Sequence, residues 1–145
     1  MGVFELKMSR RHEKEIQKEF PHSFLTTASG AKDEKTDLQT HRILGLEFAI
    51  ECKSTCNSSY SITKRVWDTL ERHAQDRSYL MRPILAIRLY AKKAQEKSWG
   101  TKEYTPENLP VELDVFVIKK DDFIELYTDY LRLKEKDDFF GSDFG

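Results

Sequence analysis

Residues 46–53, LEFAIECK, alternate strictly between two sets of side chains. Successive side chains of a β-strand point to opposite faces of a sheet, so this period of two predicts a strand. The even-numbered face would carry Leu46, Phe48, Ile50 and Cys52. The odd-numbered face would carry Glu47, Ala49, Glu51 and Lys53. The strand therefore needs a core on one face and brings a carboxylate and an ammonium group together on the other.

The rest of the pattern predicts three helices and four further strands. A helix capped by Ser9 ends at Pro21, because a helix rarely continues into the residue before proline. Strand character follows in 22–30, a hairpin in 37–55, a helix capped by Ser61 in 62–77, strands in 82–91 and 111–118, and a closing helix in 120–136. The order α-β-β-β-α-β-β-α predicts an α/β (α+β) fold, with helices flanking a central mixed sheet.

The chain length of 145 residues predicts one domain, which we place at 1–136, followed by an acidic, flexible tail at 137–145. That tail is also a candidate docking peptide for a protein partner. No apolar run approaches the ~20 residues of a membrane span, and the N-terminus lacks a signal-peptide core. We therefore expect a cytoplasmic protein with no membrane partner. The two cysteines and four histidines have no zinc-site spacing.

Three residues of the predicted hairpin point to a metal site. Asp37 begins its first strand, while Glu51 and Lys53 share a face of the returning strand. Two carboxylates that converge in this way offer the oxygen ligands that Mg²⁺ prefers, and a nearby lysine can offset charge that develops on phosphorus. The alternative is an ordinary solvated Glu–Lys pair, which contributes little to stability.

The run SGAKDEKTDLQTHRILGLEFAIECKST resembles the core of the PD-(D/E)xK nuclease superfamily, and is similar within it to archaeal-type and phage Holliday junction resolvases. The ExK motif matches Glu51 and Lys53, and the first metal-binding acid matches Asp37. The family's helix glutamate matches Glu13, with Glu15 as the second candidate. SYSITKRVWDTLERHA is similar to the YS turn and Trp-bearing helix of small phage-type members. Thr36 stands where the family often has proline before the acid.

The resemblance implies a restriction-endonuclease-like core and a metal-dependent reaction. Asp37, Glu51 and the backbone carbonyl of Cys52 would hold Mg²⁺, with Mn²⁺ as a possible substitute. Lys53 would position or activate the attacking water, and Glu13 would assist. Asp33 and Glu34 are alternative acids to Asp37, which we prefer because it alone leads into an apolar strand.

Further residues are candidates for contact with DNA, and each has an ordinary structural explanation as well. Small residues before the catalytic strand would let a DNA backbone approach, although they also suit a plain turn. Basic residues of the charged loop and the second helix would contact phosphate, although surface bases are usually only solvated. The candidates are Ser29, Gly30, Lys32, Lys35, Tyr60, Ser61, Lys64 and Arg65.

These expectations favour a metal-dependent, structure-selective DNA endonuclease. The most specific form is a Holliday junction resolvase that acts on branched or duplex DNA as a homodimer. Two alternatives remain at this point. One is a general, flap-directed or end-directed nuclease that uses the same residues. The other is a non-catalytic nucleic-acid-binding module of the same fold.

Overall fold

The computed structural model describes residues 2–20, 24–25, 38–39 and 46–142, with side chains described in 2–20 and 46–137. Within these residues the chain forms a mixed α+β fold of three helices and seven strands. In chain order they are α1 (Val3–Glu19), β1 (Phe24–Leu25), β2 (Leu38–Gln39), β3 (Glu47–Thr55), α2 (Lys64–Arg77), β4 (Met81–Tyr90), β5 (Ala94–Lys97), β6 (Gly100–Glu103), β7 (Val111–Ile118) and α3 (Lys120–Ser142).

Five of the strands form one mixed sheet in the order β1-β2-β3-β4-β7. β3 and β4 are parallel, with Glu51 opposite Leu85, whereas the other neighbours are antiparallel. Parallel neighbours need a long crossover connection, and α2 supplies it between β3 and β4. The predicted class, a mixed sheet flanked by helices, is confirmed at this level.

The alternation of β3 separates two cores, one on each face of the sheet. On the even-numbered face, Phe48 and Ile50 pack with Ile16 of α1. On the odd-numbered face, Ala49 packs with Ala74 of α2. Neighbouring β4 follows the same division, since its Leu85, Ile87 and Leu89 pack with Leu70 of α2. The odd-numbered face of β3 is therefore the α2 face of the sheet.

Three details of the predicted elements are wrong. Helix α1 begins at Val3 rather than after Ser9, because Phe4 and Met8 pack against Tyr90 and extend it towards the N-terminus. Thr63, not Ser61, caps α2, since its hydroxyl accepts a hydrogen bond from the backbone N–H of Val66 at 3.2 Å. The third detail concerns the polar segment at 92–110.

This polar segment contains an additional hairpin, β5–β6, which forms a separate two-stranded sheet. Gly100 has a φ of 127°, a backbone conformation that side chains with a Cβ rarely adopt, and it opens the second strand of the hairpin. The observed order of elements accordingly contains two strands more than predicted.

The end of the chain bears on the predicted tail. Helix α3 continues past residue 136 to Ser142, while residues 143–145 lie outside the described part. The boundary at 136 and the protein partner of the tail stay predictions. None of the helices among the described residues combines the length and the apolar character that a membrane span requires.

Candidate nuclease site

Glu51 and Lys53 lie together on the α2 face of β3. A distance of 3.1 Å joins Glu51 Oε1 to Lys53 Nζ. The Glu51 side chain is only 13% exposed, whereas that of Lys53 is 45% exposed. β3 lies inside the order of the sheet rather than at its edge. The pair therefore differs from a fully solvated surface pair, because its carboxylate is largely removed from water while its ammonium group remains accessible.

A cleft of about 540 Å³ opens beside this pair. Helix α2 and the turn before it form the opposite wall. The lining residues are Glu51, Lys53, Tyr60, Arg65, Val66, Thr69, Leu70 and His73. Two of the predicted DNA-binding residues, Tyr60 and Arg65, thus share a cleft with the predicted catalytic pair.

Thr69 and His73 were missed in the sequence. Together with Arg65 they recur every four residues, so they lie on one face of α2. This polar stripe runs beside the apolar stripe that contains Leu70, which packs against β4. The signal was present in the spacing, but only the position of α2 against β3 shows that the stripe borders the cleft.

Two other candidates on this side of the sheet lie apart from the cleft wall. Ser61 is exposed and Lys64 forms an exposed ion pair with Asp68 at 2.7 Å. The Cys52 side chain packs against the core on the α1 face, as its position in the alternation predicts. Any role of Cys52 in binding a metal would therefore fall to its backbone.

Glu13 lies on α1, half buried, and α1 packs on the even-numbered face of β3. The structure therefore does not place Glu13 on the same face of the sheet as Glu51 and Lys53. The second candidate, Glu15, is engaged elsewhere, since Arg11 and Arg88 bind its two carboxylate oxygens at 3.0 and 2.5 Å. A contribution from α1 to the reaction stays a prediction.

Several predicted site residues lie outside the described residues: Asp37, Ser29, Gly30, Lys32 and Lys35. The residue after Asp37 in the chain, Leu38, pairs with Ile50, the residue before Glu51. Within 2–20 and 46–137, no group of three or more His, Cys, Asp or Glu side chains is arranged to hold a metal ion.

A second polar cluster lies on the other face of the sheet, around the buried Arg88 of β4. Its guanidinium group donates to both carboxylate oxygens of Asp114 at 2.7 and 2.9 Å, to Glu15, and to the hydroxyl of Tyr90 at 3.1 Å. The hydrogen bond from Arg88 holds the pKa of the Asp114 carboxyl below its usual range. Because Arg88 binds the carboxylates of both Asp114 and Glu15, we interpret this cluster as a structural ion-pair network.

His12 adjoins this network and is 1% exposed. Burial, together with the positive charge of Arg88, lowers the pKa of His12 to about 4, although Asp114 and Glu15 oppose the shift. Neither ring nitrogen has a hydrogen-bond partner among the described residues. His12 is therefore a neutral side chain that folding keeps from taking up a proton.

We expect the folded state to lose stability as the pH falls from about 6.5 to about 4. In this window the unfolded chain protonates His12 and the folded chain does not, so the loss from this residue reaches roughly 3 kcal/mol. Urea unfolding at several pH values measures it. His12→Leu should flatten this part of the profile. Equal profiles for the wild type and His12→Leu would contradict the expectation.

Two comparisons with known proteins give no match, since no protein-family model fits this chain and no curated protein matches it. The resemblance to nucleases accordingly rests on the motif residues of the sequence.

Proposed function

We propose that this protein is a metal-dependent, structure-selective DNA endonuclease, and most specifically a Holliday junction resolvase. One observation carries the proposal: the largely buried Glu51 carboxylate, 3.1 Å from Lys53, faces a cleft that also contains Arg65. Burial of a carboxylate costs free energy unless the group is compensated, so such residues occur disproportionately at functional sites. A solvated Glu–Lys pair would not need this burial.

The topology around the pair supports the same proposal. One helix precedes three strands in antiparallel succession, and α2 then crosses over to β4, which is parallel to β3. This is the order of elements that the resemblance implies for the nuclease core. The register agrees as well, because the sequence neighbours of Asp37 and Glu51 pair with each other across β2 and β3.

The residues present suit a hard divalent cation. Glu51 supplies carboxylate oxygens in an open cleft, and such oxygens are typical ligands of Mg²⁺. We propose that Asp37 and the Cys52 carbonyl complete the protein's share of the ligands, with Mn²⁺ as a possible substitute. A bound Mg²⁺ would make a coordinated water more acidic and polarise the phosphodiester.

Two side chains of the cleft, Lys53 and Arg65, take part in the hydrolysis of the phosphodiester. The water oxygen attacks phosphorus and gives up a proton to solvent, the bond from phosphorus to the leaving oxygen breaks, and that oxygen takes up a proton from solvent. Lys53, held by Glu51, donates a hydrogen bond that orients the water and offsets negative charge on the phosphate oxygens. Arg65, on the opposite wall, binds a neighbouring phosphate.

A cleavage assay on matched substrates tests this function. The protein is incubated with a labelled four-way junction and with a linear duplex of the same sequence, in Mg²⁺ and in EDTA. Paired symmetric nicks in the junction, dependent on Mg²⁺, are the expected result. Equal cutting of the linear duplex would instead favour a general nuclease. Tight binding of the junction without cleavage in either Mg²⁺ or Mn²⁺ would overturn the enzyme proposal in favour of a binding module.

The proposal includes a homodimer, which would place two such sites on opposing strands of a junction. Helix α3 offers a surface for the second copy. Phe123, Tyr127 and Tyr130 are each about half exposed and lie on one side of the helix, beside the exposed Ile124 and Leu131. At ~200 Å² for each aromatic side chain, the three rings alone expose on the order of 300 Å². With Ile124 and Leu131 the patch exposes roughly 450 Å², a little more than half of the ~800 Å² that each partner buries in a standard interface.

Disruption of this surface should separate the dimer. Light scattering during gel filtration should give twice the 17.1 kDa of one chain for the wild type. Tyr127→Arg should give the mass of one chain, because a charge buried against a second α3 costs several kcal/mol. Tyr79→Arg is the control, as Tyr79 is 80% exposed and lies outside α3. A wild type that remains a single chain at tens of micromolar would disprove the dimer.

A further inference from the structure

The outer surface of α1 carries a row of basic side chains. Lys7, Arg10, Lys14 and Lys18 are all exposed. Their spacing of three and four residues places them on one side of the helix. With a rise of 1.5 Å per residue, the row extends over about 16 Å. We define these four residues as the α1 basic row.

Few negative charges compensate the α1 basic row. Among the residues that the structure describes, none of its four members forms an ion pair, whereas the adjacent Arg11 is bound to Glu15. A groove of about 410 Å³ follows the row, and five bases line it against two acids, Glu15 and Glu107. Glu15 is already bound by Arg11 and Arg88. The lining of the groove, with five bases and two acids, therefore has a net charge of +3, in a chain whose net charge is −1.

We propose that the α1 basic row binds the phosphate backbone of a nucleic acid, as a contact surface separate from the Glu51–Lys53 cleft. α1 packs on the even-numbered face of β3, whereas the cleft lies on the other face of the sheet. A nucleic acid on this row would therefore be a different stretch from the one in the cleft. That the polyanion bound by this row is a nucleic acid rests on the proposed function.

A nucleic acid suits the row better than a membrane surface. An amphipathic helix that lies on a membrane needs apolar side chains on its exposed face. Between Lys7 and Lys18, the apolar residues Met8 and Ile16 are buried in the protein core. The exposed face there is polar throughout. Regularly repeated charge is what a phosphate backbone provides, at one phosphate per ~3.4 Å of each strand.

The salt dependence of binding tests this surface directly. The full chain is titrated against a fluorescent four-way junction in EDTA, at several salt concentrations. The triple variant Lys7→Gln, Lys14→Gln and Lys18→Gln should reduce the slope of log K against log salt by about 3, because each lost phosphate contact removes ~0.9. A matched triple variant on and beside the β5–β6 hairpin, Lys92→Gln, Lys97→Gln and Lys102→Gln, removes the same charge and should leave the slope unchanged.

The outcomes separate this inference from the proposed function. A wild type that binds no DNA contradicts the proposed function itself. A wild type that binds, with equal slopes for the two triple variants, overturns the α1 surface alone. Loss of binding to phosphatidylserine vesicles in the α1 variant, with an unchanged DNA slope, overturns it in favour of a membrane. The α1 triple variant should cleave saturating DNA at the wild-type rate. A tenfold lower rate would mean that the α1 basic row contributes to the reaction in the cleft, which would overturn its role as a separate surface.

Discussion

Replacement of Glu51 by glutamine should lower the rate of Mg²⁺-dependent junction cleavage about 1,000-fold, the effect of losing one charge-stabilising group at a catalytic centre. Glutamine keeps the size of the side chain but offers only a neutral amide oxygen, which is a weaker ligand for a hard cation. The change also removes the negative partner of Lys53, at present 3.1 Å away. The measurement is the single-turnover rate at saturating protein.

Glu47→Gln is the matched control for this experiment. Glu47 lies on the same strand and the same face of β3 as Glu51 and is half buried, but it does not line the cleft. Its substitution should leave the cleavage rate close to that of the wild type. Lys53→Gln provides a second variant if Glu51→Gln fails to fold. Wild-type cleavage by both folded cleft variants would remove Glu51 and Lys53 from the reaction.

The second large effect concerns stability, and Asp114→Asn should reduce the free energy of unfolding by about 3 kcal/mol. Arg88 is 3% exposed and depends on Asp114 for two of its hydrogen bonds. An asparagine provides one acceptor and no charge. The buried guanidinium group of Arg88 then keeps only one of its two negatively charged partners, Glu15. Because the side chain of Asp114 is itself 43% exposed, we place the loss at the lower end of the range for broken buried pairs.

Urea unfolding at neutral pH measures this loss. Glu112→Gln is the control on the same strand, because Glu112 is exposed and its substitution should change stability by less than about 0.5 kcal/mol. Replacing the pair together, as Arg88→Met with Asp114→Leu, should recover most of the loss, since apolar side chains need no compensating charge. A cost near zero for Asp114→Asn would show that Arg88 does not rely on this acid.

The sequence predicted those parts of the fold whose signal is local. β3, β4 and β7 have apolar runs or alternation within a few residues, and the stripe on α2 has a helical period. The first turns of α1 were missed because Phe4 and Met8 are fixed by Tyr90 and Leu109, far away in the chain. The β5–β6 hairpin has no apolar alternation, and its strands are held mainly by backbone pairing.

The same distinction applies to the site. Glu51 and Lys53 are two residues apart on one strand, so their shared face followed from spacing alone. The contribution of His73 to the cleft depends on how α2 packs across β3, which no local pattern encodes. The network of Arg88 joins residues 26 and 73 positions away in the sequence, and a single arginine in an apolar strand gave no indication of its partners.

The alternation of β3 makes this strand unusually intolerant of changes in length. Insertion or deletion of one residue between Leu46 and Glu51 would turn Phe48 or Ile50 towards the α2 face and one of the charged side chains into the apolar interior. A change of two residues would restore the orientation of each side chain. We therefore expect natural variation in chain length to be confined to the loops between the helices and strands. In a library of insertions and deletions that keep the reading frame, functional variants should rarely change the length of β3 by an odd number of residues.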